Sequence, residues 1–144
     1  MNRLLILPFM VLSLAACRVE QKNSAPEVNA PGPVALAASD IKHVDAQGAA
    51  GIIELEKPII LDVRTPEEFA EVSIEGAVNI DYNSKTFAQD VDKLDKSKLY
   101  LLHCRSGNRS GQSLALFKKL GFTTVYHLDG GIIAWEEAGL PVKK

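Results

Sequence analysis

Cysteine is scarce in this sequence: Cys17 and Cys104 are the only two in 144 residues. The histidines, His43, His103 and His127, stand far apart and lack metal-ligand spacing. With one cysteine in the part of the chain that folds, no metal site and no cofactor is expected. Basic runs are missing as well. The formal net charge is −2, and no basic patch is interleaved with aromatics, so nothing points to a nucleic-acid partner. The apolar run at residues 4–12 is too short to cross a bilayer unaided. What remains is 47% hydrophobic and 24% charged, the balance of a soluble globular fold, and the length suits one domain. A monomer is the default expectation.

The N-terminus reads as an address rather than as part of the fold. Met1-Asn2-Arg3 is a short positive segment, residues 4–12 are apolar, and Leu14-Ala15-Ala16 leads with small residues into Cys17. Leu14-Ala15-Ala16-Cys17 resembles the lipobox of bacterial lipoproteins. That resemblance implies a signal peptide over 1–17, lipid on Cys17 as the mature N-terminus, and a membrane-anchored protein facing the periplasm. Residues 18–39 hold Pro26, Pro31, Gly32 and Pro33 without sustained apolar periodicity. They read as a flexible linker that reaches roughly 25 Å. The folded domain is then 40–144. With Cys17 capped by lipid, Cys104 is the one free thiol, and export carries it into a compartment that favours oxidation.

The rest of the chain is organised around His103-Cys104-Arg105-Ser106-Gly107-Asn108-Arg109-Ser110. Before it, Leu99-Tyr100-Leu101-Leu102 reads as a buried strand. After it, Leu114, Phe117 and Leu120 are spaced as on a helix. Cys104 therefore sits where a strand ends and a helix is about to begin. A helix N-terminus presents unpaired N–H groups and partial positive charge, and so binds anions. Those donors, with Arg105 and Arg109 close by, lower a thiol's pKa and make a thiolate available near neutral pH. Gly107 and Gly111 let the backbone curl tightly around a bound group. His103 precedes Cys104 and by strand alternation points to the opposite face.

Strand-like and helix-like segments alternate along 40–144. Strands are expected at 41–44, 58–63, 76–80, 99–102 and 123–127. Asp45 can cap a helix running towards Glu56, and Thr65-Pro66-Glu67-Glu68 is a capping box with proline at the first helical position. Phe87, Val91 and Leu94 have helical spacing. The helix after the Cys104 loop ends at Gly121, and a last one covers 131–138. Such alternation implies an α/β fold with a mainly parallel sheet of about five strands and helices on both faces. Ligands bind such sheets off the carboxyl ends of the strands, where Cys104 lies.

Four stretches, in order, resemble a single rhodanese (sulfurtransferase) domain over about residues 40–143. They are Leu61-Asp62-Val63-Arg64-Thr65-Pro66-Glu67-Glu68-Phe69; Glu75-Gly76-Ala77-Val78-Asn79-Ile80; Cys104 to Ser110; and Leu128-Asp129-Gly130-Gly131-Ile132-Ile133-Ala134-Trp135 with Gly139-Leu140-Pro141. The resemblance implies that Cys104 accepts a sulfane sulfur as a persulfide. It also implies that Arg105, Ser106, Gly107, Asn108 and Arg109 form the substrate-binding loop. Arg109 is expected to contact the anion and Arg105 to tune the mouth, with Asp62 and Arg64 as a supporting ion pair. Trp135 is read as core and Gly130-Gly131 as a tight turn. Val72-Ser73-Ile74 stands where the family often has Gly-His-Ile.

The implied reaction moves sulfur from thiosulfate or a similar donor to cyanide or a thiol. Two further readings are a persulfide carrier and a partner-binding module with little turnover. A phosphatase or arsenate reductase of related fold is disfavoured. Those enzymes place five residues between cysteine and arginine, whereas here that spacing reaches Ser110 and Arg109 comes one residue early.

Overall fold

Residues 39–144 are described by a computed structural model; the segment 1–17 with Cys17, and the linker as far as residue 38, lie outside the described residues. Strands β1 (Asp40–Val44), β2 (Ile59–Asp62), β3 (Val78–Asn79), β4 (Leu99–His103) and β5 (Thr124–Leu128) make one sheet in the order β1-β5-β4-β2-β3. Every pairing in that sheet is parallel. β4 lies mid-sheet with both faces covered, and Tyr100, Leu101, Leu102 and His103 are all buried. Burial on both sides is why this strand reads as a continuous apolar run rather than an alternation.

Local chemistry sets the helices α1 (Ala46–Glu56), α2 (Pro66–Glu71), α3 (Phe87–Asp92), α4 (Asn108–Leu120) and α5 (Gly131–Glu137). Asp45 caps α1 by accepting from the Gly48 N–H at 2.7 Å. At α2 the capping box closes in both directions, Glu68 N–H to Thr65 Oγ1 and Thr65 N–H to Glu68 Oε2. α4 ends on Gly121 in the left-handed conformation.

Two apolar layers sandwich the sheet. On one side Tyr100, Leu102 and Cys104 pack with Phe87, Val91, Phe117 and Phe122 of the α3/α4 side. On the other, Leu101 packs with Ala46, Ala49, Ile132 and Trp135 of α1 and α5. Trp135 is buried, and its indole N–H donates to Pro141 O at 2.9 Å. Alternation along β4 thus gives Cys104 the α4 face and turns His103 away from it. Burial holds the His103 pKa below its ordinary value, so the ring is a neutral packing group.

Three local features differ from the sequence expectation. β3 is only two residues long, and α4 begins at Asn108, ahead of the first apolar position of its periodic stretch. Its first turn is polar because it faces the Cys104 loop, so it carries no apolar signal. Ser73, at the departure from the family pattern, pairs antiparallel with Lys143 through two backbone hydrogen bonds of 2.8 and 2.9 Å. The C-terminal tail thereby fixes that loop.

Beside the β2 exit, Arg64 Nε and Nη2 donate to Asp62 at 2.6–3.0 Å, and Arg64 Nη2 also donates to Val72 O. Asp62 is 0% and Arg64 2% exposed. At such burial, stranding one partner costs about 3–5 kcal/mol. The pair braces the α2 entry, and Asn79 Nδ2 ties the same turn through Asp62 O and Arg64 O.

Candidate active site around Cys104

β4 ends at His103 and α4 starts at Asn108, so four residues carry the chain from strand to helix in an arc around Cys104 Sγ. Gly107 makes the last bend at φ +88, where a side chain would be strained and would press on Gly130 N at 3.2 Å. Its N–H donates to Sγ at 3.2 Å, and the Ser110 hydroxyl reaches Sγ at 3.4 Å. Backbone N–H groups of Ser110 and Ser106 face the sulfur as well. Burial pushes the thiol up, but the Ser110 hydroxyl and these N–H groups outweigh it. The thiol therefore ionises below its ordinary pKa.

The arc is held from behind. Ile132 N–H donates to Cys104 O at 2.9 Å and Ile133 N–H to Arg105 O at 3.1 Å. Because α5 takes up these carbonyls, the loop's own N–H groups remain for the sulfur. Gly131 makes the approach feasible: a Cβ there would lie 2.4 Å from Cys104 O and 2.6 Å from Arg105 C and O, at φ +60. The Gly130-Gly131 turn into α5 is thus also a part of the site.

Arg105, Ser106 and Asn108 stand exposed on the rim, with Gly107 and Arg109 partly covered. Arg109 has two partners, Glu68 foremost and the Cys104 thiol beside it, and both hold its pKa above the ordinary value. Its Nη1 and Nη2 donate to Glu68 Oε2 and Oε1 at 2.7 and 2.8 Å, a two-pronged pair. The same Glu68 closes the α2 capping box, so α2 holds Arg109 in place. The Arg109 guanidinium holds the Glu68 carboxyl at about 2. A depressed folded pKa means that this stabilisation is complete above the ordinary carboxylate range and is lost only as pH falls through about 2. The pair is therefore intact wherever a thiolate exists. Arg105 makes no ion pair among the described residues. It lines a cavity of about 460 Å³ with Arg64, Glu68, Glu71, Ile132 and Glu136; Cys104 is not part of the lining.

The sheet brings together two of the three histidines that stand far apart in the sequence. Parallel pairing of β1 with β5 sets His43 directly beside His127. His127 Nε2 is 2.9 Å from Ser110 Oγ, and its Nδ1 donates to Asp129 Oδ1 at 2.9 Å. His43 Nδ1 donates to the same oxygen at 2.8 Å. These three side chains could hold a metal ion, since their donor atoms all lie within 4.8 Å of one another. Residues distant in sequence meet here through strand register.

Sequence reading thus passed over Glu68, Ser110, His127 and the close approach of Gly131. Only Ser110 left a usable signal, since it occupies the place where a phosphatase-type loop carries arginine. The structure fills that place with a hydroxyl hydrogen-bonded to the sulfur.

The profile of a family described as "Rhodanese-like domain" matches residues 45–138. The chain is 38% identical over 85 residues to the probable adenylyltransferase/sulfurtransferase MoeZ of Mycobacterium tuberculosis, covering 59% of this chain and 22% of that one. It is 30% identical over 103 residues to a sulfurtransferase of Allochromatium vinosum, covering 71% of this chain and 94% of the relative. It also resembles the crystal structure of a rhodanese-related protein from Thermoplasma volcanium, with a TM-score of 0.63 at 30% identity. That alignment covers 71% and 97% of the two chains.

Proposed function

Because the chain belongs to the rhodanese-like domain family, we propose that it transfers sulfane sulfur from thiosulfate or a similar donor through a persulfide on Cys104. The observation that carries this reading is the sulfur itself, ringed by the Gly107 N–H and the Ser110 hydroxyl, with its pKa held below that of an ordinary thiol. The thiolate attacks the outer sulfur of the donor; a bond from Sγ to that sulfur forms, and the donor's sulfur–sulfur bond breaks. The electron pair leaves with sulfite. Loop N–H groups stabilise the persulfide anion as an oxyanion hole stabilises an alkoxide. Cyanide or a thiol then attacks the outer sulfur and restores the thiolate. With Cys104 only 1% exposed, a donor presenting one protruding sulfur is favoured over a bulky one. Intact mass before and after thiosulfate tests the proposal: one sulfur atom should be gained and cyanide should remove it. An unchanged mass would defeat it.

The two arginines divide the work. Arg105, exposed at the cavity and without an ion pair among the described residues, is assigned the donor's anionic end, while Arg109 is paired with Glu68. A charge-assisted hydrogen bond contributes about 1.5–3 kcal/mol, less on an exposed rim, so Arg105→Ala should raise KM for thiosulfate roughly 10-fold with little change in kcat. Arg109→Ala should raise KM less. Steady-state kinetics with both variants decides; a larger KM effect at Arg109 returns the anion contact to that residue.

Export and lipid anchoring through Cys17 belong to the same proposal, supported by the residues of the N-terminus alone. Cys17→Ser should remove the chain from the membrane fraction. Wild-type protein recovered unlipidated and cleaved elsewhere would contradict the assignment.

A further inference from the structure

Beyond the thiol, we propose that His43, His127 and Asp129 form a binding site for a divalent cation of the Zn²⁺ class. The donor set is two imidazole nitrogens and one carboxylate oxygen, which suits borderline ions such as zinc. His43 Nδ1 and His127 Nδ1 lie 2.8 and 2.9 Å from Asp129 Oδ1, and 3.3 Å from each other. An ion bonded at about 2.0–2.1 Å to three atoms so spaced sits about 1 Å off their plane, with its remaining positions open to water. The ring geometry agrees: two imidazoles bound through Nδ1 to one ion have centres about 4.5–5.2 Å apart, and here the separation is 4.9 Å at 71° between planes.

Protons fit this cluster less well than an ion does. Without a metal, both Nδ1–H groups must point at the same carboxylate oxygen while their nitrogens stand 3.3 Å apart. One cation at the point of convergence satisfies all three atoms. The fold also builds the site from rigid parts. β1 and β5 hold His43 and His127 in register, and Asp129 follows directly on β5, its backbone N–H donating to Val44 O at 2.9 Å. His127 is buried, whereas the His43 and Asp129 side chains are 57% and 53% exposed, which leaves a path for the ion and its waters.

Occupation of the site would reach Cys104. Metal ligands of this kind donate their other ring N–H to a partner. An ion on His127 Nδ1 leaves the ring proton on Nε2, with no net change in proton count, so Nε2–H donates to Ser110 Oγ. The Ser110 hydroxyl hydrogen is then released from His127 to the acceptors on its other side, Cys104 Sγ at 3.4 Å and Gly107 O at 3.2 Å. With the proton on Nδ1 instead, Nε2 is bare and competes with the sulfur for that hydrogen. The ion thereby sets the direction of the Cys104–Ser110–His127 hydrogen bonds. Its bearing on sulfur transfer rests on the reading of Cys104 as sulfur acceptor; the binding itself does not.

Titration of the full chain with cobalt(II), followed by visible absorption, tests the site without any activity. One equivalent should bind with tetrahedral or five-coordinate d–d bands and no sulfur-to-metal charge transfer, and added Zn²⁺ should displace it. Cys104→Ser should keep this signal. His43→Ala and Asp129→Asn, both at exposed side chains, should weaken binding at least 10-fold with an unchanged far-ultraviolet circular dichroism spectrum. Zn²⁺ should also quicken alkylation of Cys104 by iodoacetamide in the wild type and not in His43→Ala. Bands that survive in His43→Ala and Asp129→Asn, a sulfur charge-transfer band, or slower alkylation in both proteins would put the ion elsewhere and overturn the proposal. No binding in the micromolar range would do the same.

Discussion

In the Cys104→Ser protein, thiosulfate should add no mass and cyanide should release no thiocyanate, while the chain melts within a few degrees of the wild type. A serine hydroxyl does not ionise near neutral pH, so the nucleophile is gone and turnover falls at least about 10³-fold. The fold should survive because the replacement is nearly isosteric, and its oxygen can accept the same Gly107 N–H and Ser110 hydroxyl that now face the sulfur. The wild type should show no hydrolysis of p-nitrophenyl phosphate through Cys104. The arc from Cys104 to Arg109 surrounds one atom, whereas a phosphoryl group brings three further oxygens that each need a donor. Ser110, not an arginine, fills the position such a cradle would use. A sulfur adduct on the serine variant, or phosphatase turnover at rates like those of sulfur transfer, would refute the assignment.

Gly131→Ala should be the most damaging small substitution near the site. The new methyl would meet Cys104 O at 2.4 Å and the Arg105 carbonyl at 2.6 Å, both parts of fixed backbone. Either α5 retreats and loses its hydrogen bonds to Cys104 O and Arg105 O, or the loop shifts and its N–H groups leave the sulfur. Two backbone hydrogen bonds at about 0.5–1.5 kcal/mol each, plus about 1–2 kcal/mol for a left-handed alanine, give a loss of about 2–5 kcal/mol. In a domain of this size that lowers Tm by roughly 10 °C or more. Gly139→Ala is the control: its φ is +71, yet nothing lies within 4 Å of the added carbon, so only the backbone strain applies. Iodoacetamide should also alkylate Gly131→Ala more slowly than wild type. If the two variants melt alike and alkylate alike, the close approach of α5 to the loop is not what holds the sulfur's donors in place.

The sequence by itself determined whatever depends on neighbours along the chain. The alternation of strand and helix, the Asp45 and Thr65/Glu68 caps, the Gly121 terminus and the strand-to-helix setting of Cys104 all follow from spacing over a few residues. Such spacing dictates backbone hydrogen bonding and which face is apolar. Reading the polar start of α4 was harder, because residues turned toward a site carry no apolar period. Only the tertiary structure decided which cations and imidazoles act together. Glu68 meets Arg109 from 41 positions away and His43 meets Asp129 from 86. Strand order and the β1/β5 register create those contacts, and neither is encoded in local spacing. Arg109 is thereby held by Glu68 beside the thiol, and two histidines far apart in the chain became one cluster behind it. A side chain's identity is local information, but the partner that sets its charge and direction arrives through the fold.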